Sequence, residues 1–546
     1  MRIKSALAAS ALLSLPFLAL AQEHSMDHPA AAPPPPAIEQ GLSELHHPVT
    51  TTNAEAQRYF DQGLRYVYAF NHEQAVASFE HAAQLDPQLA MAHWGAALAL
   101  GPNINMDVDP AREKQAYDAV QAALAHASSA SEKERDTIAA LAKRYSADPA
   151  ADLKQLSRDY SAAMRALVAK YPDDLDLATL YAESLMDLHP WRLWTHDGAP
   201  GEDTLEIVRV LESVLQRNPH HLGANHYYIH AIEGSANPER ALHSAERLRT
   251  LAPAAGHLVH MPAHIFERTG NYLLAAEANA RGAERDREFA KKYGNENVYM
   301  MMYYNHNLDF GAASYAMAGD FDSAKKFADE MSANAVMIAA QMPPVEAFAS
   351  ASLKVLVRFG RWADVLKATS TNAAAGPLST AFLHYARGLA FAHLGNVAGA
   401  QREQQAFVAA TVQLPDDPGF LQNSPKTLGV VAGALLDGAV AEASGDRTAA
   451  LASYRRAVAA EDALQYNEPA DWFYPTRETL GAALLRGGDA AGAEAVFRDD
   501  LKMHPKNPRS LQGLEESLAA QQKPGSKERA AFRAAWHGGP LRMADW

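Results

Sequence analysis

The chain has 546 residues, a formal net charge of −15 and no cysteine. That length is too great for one compact core unless the chain is a repeat array. The acidic balance argues against a nucleic-acid partner, and the missing cysteines exclude disulfides, thiolate nucleophiles and thiolate metal ligands.

Taken from the N-terminus, Arg2 and Lys4 precede an apolar run that ends in Ala19-Leu20-Ala21, the small-x-small pattern of a secretory leader cleaved after Ala21. The run is too short for a membrane span, so residues 1–21 are expected to be a signal peptide and the mature protein to be periplasmic or secreted. Residues 22–53 contain "PAAAPPPPA" and few large apolar side chains, which predicts an extended, flexible linker. From residue 54 to 546, helical periodicity dominates and strand alternation is all but missing.

Internal repetition is the next signal. In Ala56–Leu89, Gly63 and Tyr66 stand on a first helix, Ala75, Phe79 and Ala82 on the inner face of a second, and Pro87 ends it. The turn-then-alanine spacing returns as Gly270/Ala275, Gly319/Ala324, Gly395/Ala400, Gly445/Ala450 and Gly488/Ala493, with Gly388, Gly438 and Gly481 as small first-helix residues and Tyr454, Phe497 and Pro505 continuing the match. These segments resemble tetratricopeptide (TPR) repeats, of an exported bacterial type, near 56–89, 222–255, 256–289, 305–338, 381–414, 431–464 and 474–507. The resemblance implies an all-α, right-handed superhelical solenoid of helix pairs, each burying its face on the next. A helix in "ERAAFRAAWHGG" would cap it. Two insertions, "GPNINMDVDP" (Gly101–Pro110) and "LHPWRLWTHDGAPG" (Leu188–Gly201, with His189, Trp191, Trp194 and His196), read as loops, where function concentrates. Plugging of irregular junctions by the tryptophans is the equal alternative.

Within the repeats, "HYYIHAIE" (His226–Glu233) and "HMPAHIFE" (His260–Glu267) both read H-x-x-x-H-x-x-E, and they lie 34 residues apart, one repeat length. On a helix the three polar positions share a face, and imidazoles at i and i+4 can converge on one metal. The glutamate follows the second histidine instead of lying between the two, so the zinc-protease arrangement is not met. The resemblance puts first helices along a concave groove, so His226, His230, Glu233, His260, His264 and Glu267 would be the metal residues there, with Glu183, His257, His306 and Asp309 as additional groove residues. Pro262 interrupts the second copy and predicts a kink or a late helix start.

His24, Met26 and His28, close behind the cleavage point, suit copper or nickel, and Met300–Met302 stand near His306. Together these point to copper before zinc as the divalent or copper ion, although methionine is more often core filler. Two functions follow: a metal-binding groove that handles metal or performs metal-dependent, possibly oxidoreductive, chemistry on a bound ligand, or a metal-free scaffold for a peptide or protein. "YNEPADWFYPTRETL" (Tyr466–Leu480) is expected to be a structured junction beside the groove. There is no Walker loop, dinucleotide fingerprint or nucleophile elbow.

Overall fold

Helices succeed one another from Ala54 to Ala535, and no strand longer than an isolated bridge occurs among the described residues. The computed structural model describes residues 36–195, 198–339, 343–368, 376–418 and 422–541. The fold is an all-α solenoid of TPR-type antiparallel helix pairs. The repeating unit has a simple steric cause. A Cβ on Gly63 would lie 2.7 Å from the Phe79 ring, so only glycine lets the second helix approach. The same pairing returns as Gly311 with Phe327, Gly438 with Tyr454 and Gly481 with Phe497. The turns of the pairs carry glycine at positive φ, 91° at Gly319 and 81° at Gly445, where a side chain would be strained. Phe79 and Phe497 are fully buried, so truncation of either to alanine is expected to cost about 3–5 kcal/mol.

Residues 36–53 differ from the linker expectation: they lie against the solenoid. Leu42 is buried; His46 Nδ1 meets Asp61 and His47 Nδ1 meets Asp176, both at 2.7 Å, and Thr50 N–H donates to Glu134. The C-terminal pairs also fold back on the middle of the chain. Tyr272 Oη donates to the Pro505 carbonyl at 3.0 Å, Arg358 pairs with Glu478 in the interior, and His537 N–H donates to the Ala318 carbonyl at 2.8 Å. Ser526–Ala535 forms a terminal helix.

Between the helices lies a partly open cavity of about 1100 Å³. Both inserted loops line it, through Asn103–Asp107 on one side and Leu188–Arg192 on the other, as does the junction at Gln465–Asp471. No helix of the described residues is long and apolar enough to cross a membrane.

Candidate metal centre

The first histidine helix, Leu222–Glu233, is regular, starts at a His221 side-chain cap and packs so tightly that a Cβ on Gly223 would meet the Tyr68 ring at 2.4 Å. The second is two pieces, Gly256–His260 and Pro262–Arg268, joined at Met261 with φ −49° and ψ −34°. Pro262 therefore stands at the first position of a new helical segment, where its missing N–H does least harm. Chain direction scarcely changes there, because Met261 keeps helical dihedrals, and the Nε2 atoms of His260 and His264 come within 2.9 Å.

Six histidines gather in two triads. His226, His230 and His257 offer nitrogens all within 4.8 Å of one another, and so do His260, His264 and His306. All but the half-buried His306 are no more than 4 % exposed. The four motif histidines are thus divided two and two, and His257 and His306 complete the sets. Each triad has an aromatic shield. The Phe70 ring lies 4.5 Å from His226 and 5.4 Å from His257, and Phe310 lies 4.9 Å from His264 and 5.4 Å from His260. Phe70 holds φ 54°, a strained value for a non-glycine residue. Its turn also brings the Tyr68 carbonyl to His226.

Hydrogen bonds decide which nitrogen of each ring is free. His226 Nδ1 is 2.7 Å from the Tyr68 carbonyl, which can only accept. His260 Nδ1 is 2.5 Å from Asn279 Oδ1, and the Asn279 amide nitrogen is itself committed to the Ala275 carbonyl. His230 Nδ1 meets Glu233 Oε1 at 2.8 Å, and His264 Nδ1 meets Glu233 Oε2. In all four rings the proton sits on Nδ1 and the Nε2 lone pair points inward, the tautomer that an outer acceptor imposes on a metal-ligating histidine. His230 Nε2 is buried without a hydrogen-bond partner. The spacing fits as well: Nε2–Nε2 distances are 3.1 Å for His226–His257, 2.9 Å for His260–His264 and 3.1 Å for His260–His306. Two nitrogens about 2.0–2.1 Å from one ion stand about 2.9–3.4 Å apart. The triads could each hold a metal ion.

Burial, reinforced by the neighbouring rings, holds His226, His257 and His260 well below the usual histidine value and His306 down at about 3. These rings are neutral and ready to ligate. For His264 burial pulls the same way but the Glu233 carboxylate outweighs it, and the value is raised. Glu233 is lowered despite burial, by His264 and His230.

The remaining sequence candidates fall elsewhere. Glu267 accepts from Ser314 Oγ at 2.8 Å, and burial pushes it up to about 8. Glu183 shares the interior with Asp187 and Arg144, burial and Asp187 raising it far above the carboxylate range. Asp309 lines the cavity one turn beyond His306, raised by burial. His24, Met26 and His28 lie outside the described residues. Asn279, Tyr68, Phe70 and Phe310 carry no motif; their roles come from tertiary contact alone. His196 is also outside the described residues, while Trp194 Nε1 donates to the Ala231 carbonyl at 2.7 Å, tying its loop to the first histidine helix.

No family model matches the chain, and no curated protein matches it. Among solved structures it superposes loosely on TPR-type solenoids: the APC/C hetero-tetramer Cut9–Hcn1 (13 % identity, 88 % of this chain and 76 % of that one, TM-score 0.30), yeast Tom70 (11 %, 86 % and 90 %, 0.30) and the human IFIT1 dimer with PPP-AAAA (11 %, 89 % and 91 %, 0.31). At such scores no function transfers.

Proposed function

We propose that this is an exported metalloprotein in which a TPR-type solenoid encloses a histidine metal centre and presents it to a small ligand in the cavity, for metal-dependent chemistry. The observation that carries the reading is the His260–His264 pair. Both Nδ1 protons are committed outward, so two bare Nε2 lone pairs face each other at 2.9 Å. Such a contact is repulsive without a cation between the nitrogens. The unsatisfied His230 Nε2 supports the same reading, since a buried lone pair without a partner costs about 1–3 kcal/mol. An all-imidazole set suits copper or zinc; the methionines and the N-terminal His-Met segment favour copper. The cavity, about 1100 Å³, has room for a small molecule, and both inserted loops line it. Export follows from the leader.

The raised His264 favours one second reading: a metal-free scaffold in which a proton, not a metal, lies between the rings and His264 is an imidazolium paired with Glu233. Metal analysis of the protein exported by a native-like host separates the two. The variant with alanine at His226, His230, His260 and His264 is expected to lose its metal, while a variant lacking residues 22–35 keeps it. Equal metal content in the wild type and the four-histidine variant would sink the proposal.

A further inference from the structure

We infer that the two triads form a single two-metal centre, one ion on His226, His230 and His257 and the other on His260, His264 and His306, tied together by Glu233 and open on the cavity side to one small anion that spans both ions. This rests on the metal reading above and adds the stoichiometry, the coupling and the ligand class.

Four observations carry it. First, the triads are contiguous. Ring centroids within a triad are 4.8–6.2 Å apart, and between triads His257–His260 is 5.7 Å and His230–His264 is 5.6 Å. Ions in both triads would be near neighbours. Second, one carboxylate serves both: Glu233 Oε1 holds His230 and Oε2 holds His264. Any displacement of Glu233 by one occupied triad is therefore felt at the other. Third, each triad puts two of its rings on the same cavity wall, His230 and His257 from one, His264 and His306 from the other. His226 and His260 lie behind them, fully buried. The open side of both sites thus faces one space. Fourth, the charge is unbalanced. Six neutral imidazoles and one carboxylate cannot neutralise two divalent ions in a buried site. Of the other carboxylates on the cavity, Glu468 is engaged with Tyr466 and faces Arg268, and Asp309, one turn beyond His306, belongs to neither triad. An anion drawn from the cavity supplies the missing charge, and a position between two ions satisfies both.

The test uses the full chain with His24→Ala and His28→Ala, so that the N-terminal histidines do not contribute, loaded with copper(II) and dialysed. Two coppers per chain are expected, with an electron paramagnetic resonance signal broadened or reduced below two independent spins by their proximity. His257→Ala and His306→Ala should each retain one copper with a full, isolated one-spin signal. Glu233→Gln, which keeps the shape, should weaken retention of both ions together, by about 10–100-fold. Azide should bind once per copper pair in the parent protein, and at least tenfold more weakly in either one-copper variant. Circular dichroism checks that each variant is folded; where one alanine variant fails, the other carries the comparison. One copper per chain, or two with undiminished independent signals, overturns the pair while leaving a metal site standing. No retained copper overturns the metal reading as well. Equal azide affinity in the one-copper variants overturns the shared anion, and unchanged retention in Glu233→Gln overturns its coupling role.

Discussion

The two copies of the H-x-x-x-H-x-x-E motif are alike in sequence and unlike in use. In the first, the glutamate turns back on its own helix. Glu233 accepts a hydrogen bond from Nδ1 of His230 in the same turn and one from Nδ1 of His264 on the neighbouring helix. In the second, Glu267 reaches neither histidine and instead accepts from Ser314 on the helix Asn305–Ala318. The place Glu267 would have held beside His264 is taken by Glu233, and Asn279 holds His260 as the Tyr68 carbonyl holds His226. A motif position therefore names a direction on a helix face, and the element packed there decides what the side chain does.

That contrast can be broken at its strong side first. Glu233→Ala, measured as denaturant midpoint in chelator-treated protein, is expected to cost about 3–5 kcal/mol, because it strands the buried Nδ1–H groups of His230 and His264 and removes one member of a buried charged network. Glu267→Ala should cost only about 1 kcal/mol, the net worth of one neutral hydrogen bond. Equal losses would mean that the two glutamates are equivalent after all.

A finer distinction is pH dependence. The folded value of Glu267, about 8, stands above the ordinary 4.5. Between those values the folded chain keeps a proton that the unfolded chain has released, so the contribution of this group to stability falls as pH rises through that window. Glu267→Gln cannot titrate. Its midpoint should gain on that of the wild type as pH rises from about 5 to 8, and a gap that does not change with pH would show that Glu267 titrates normally.

The smallest effect is expected at the break in the second helix. Pro262→Ala restores an N–H to a segment that already has helical dihedrals on both sides, so stability should change by less than about 1 kcal/mol and metal content not at all. Loss of metal in this variant would show that the proline aims His260.

Much of the fold was legible in the chain itself. The glycine–aromatic pairs such as Gly63 with Phe79 are local in sequence and steric in origin, so they announce the helix pairs without any knowledge of what packs where. The two histidine motifs were legible for the same reason, since i, i+4 spacing alone puts the rings on one face. The partition of those rings was not. His257 and His306 belong to no repeated pattern, and nothing in their spacing says that one joins His226 and the other His260. The strap at 36–53 was hidden by its composition: proline and alanine suggest a free linker, whereas the buried Leu42 and the bonds of His46 to Asp61, His47 to Asp176, Thr50 to Glu134 and Thr51 to Asp86 hold it down.

The sequence by itself thus determined the all-α repeat architecture and the presence of paired histidines on adjacent first helices, because both depend on neighbours within about one repeat. Only the tertiary structure decided which segments line the cavity, that Tyr68, Asn279 and Glu233 turn the Nε2 lone pairs inward, and that six rings lie in one continuous cluster. Those features come from contacts between residues as far apart as Tyr68 and His226 or Tyr272 and Pro505, and no periodicity along the chain encodes such meetings.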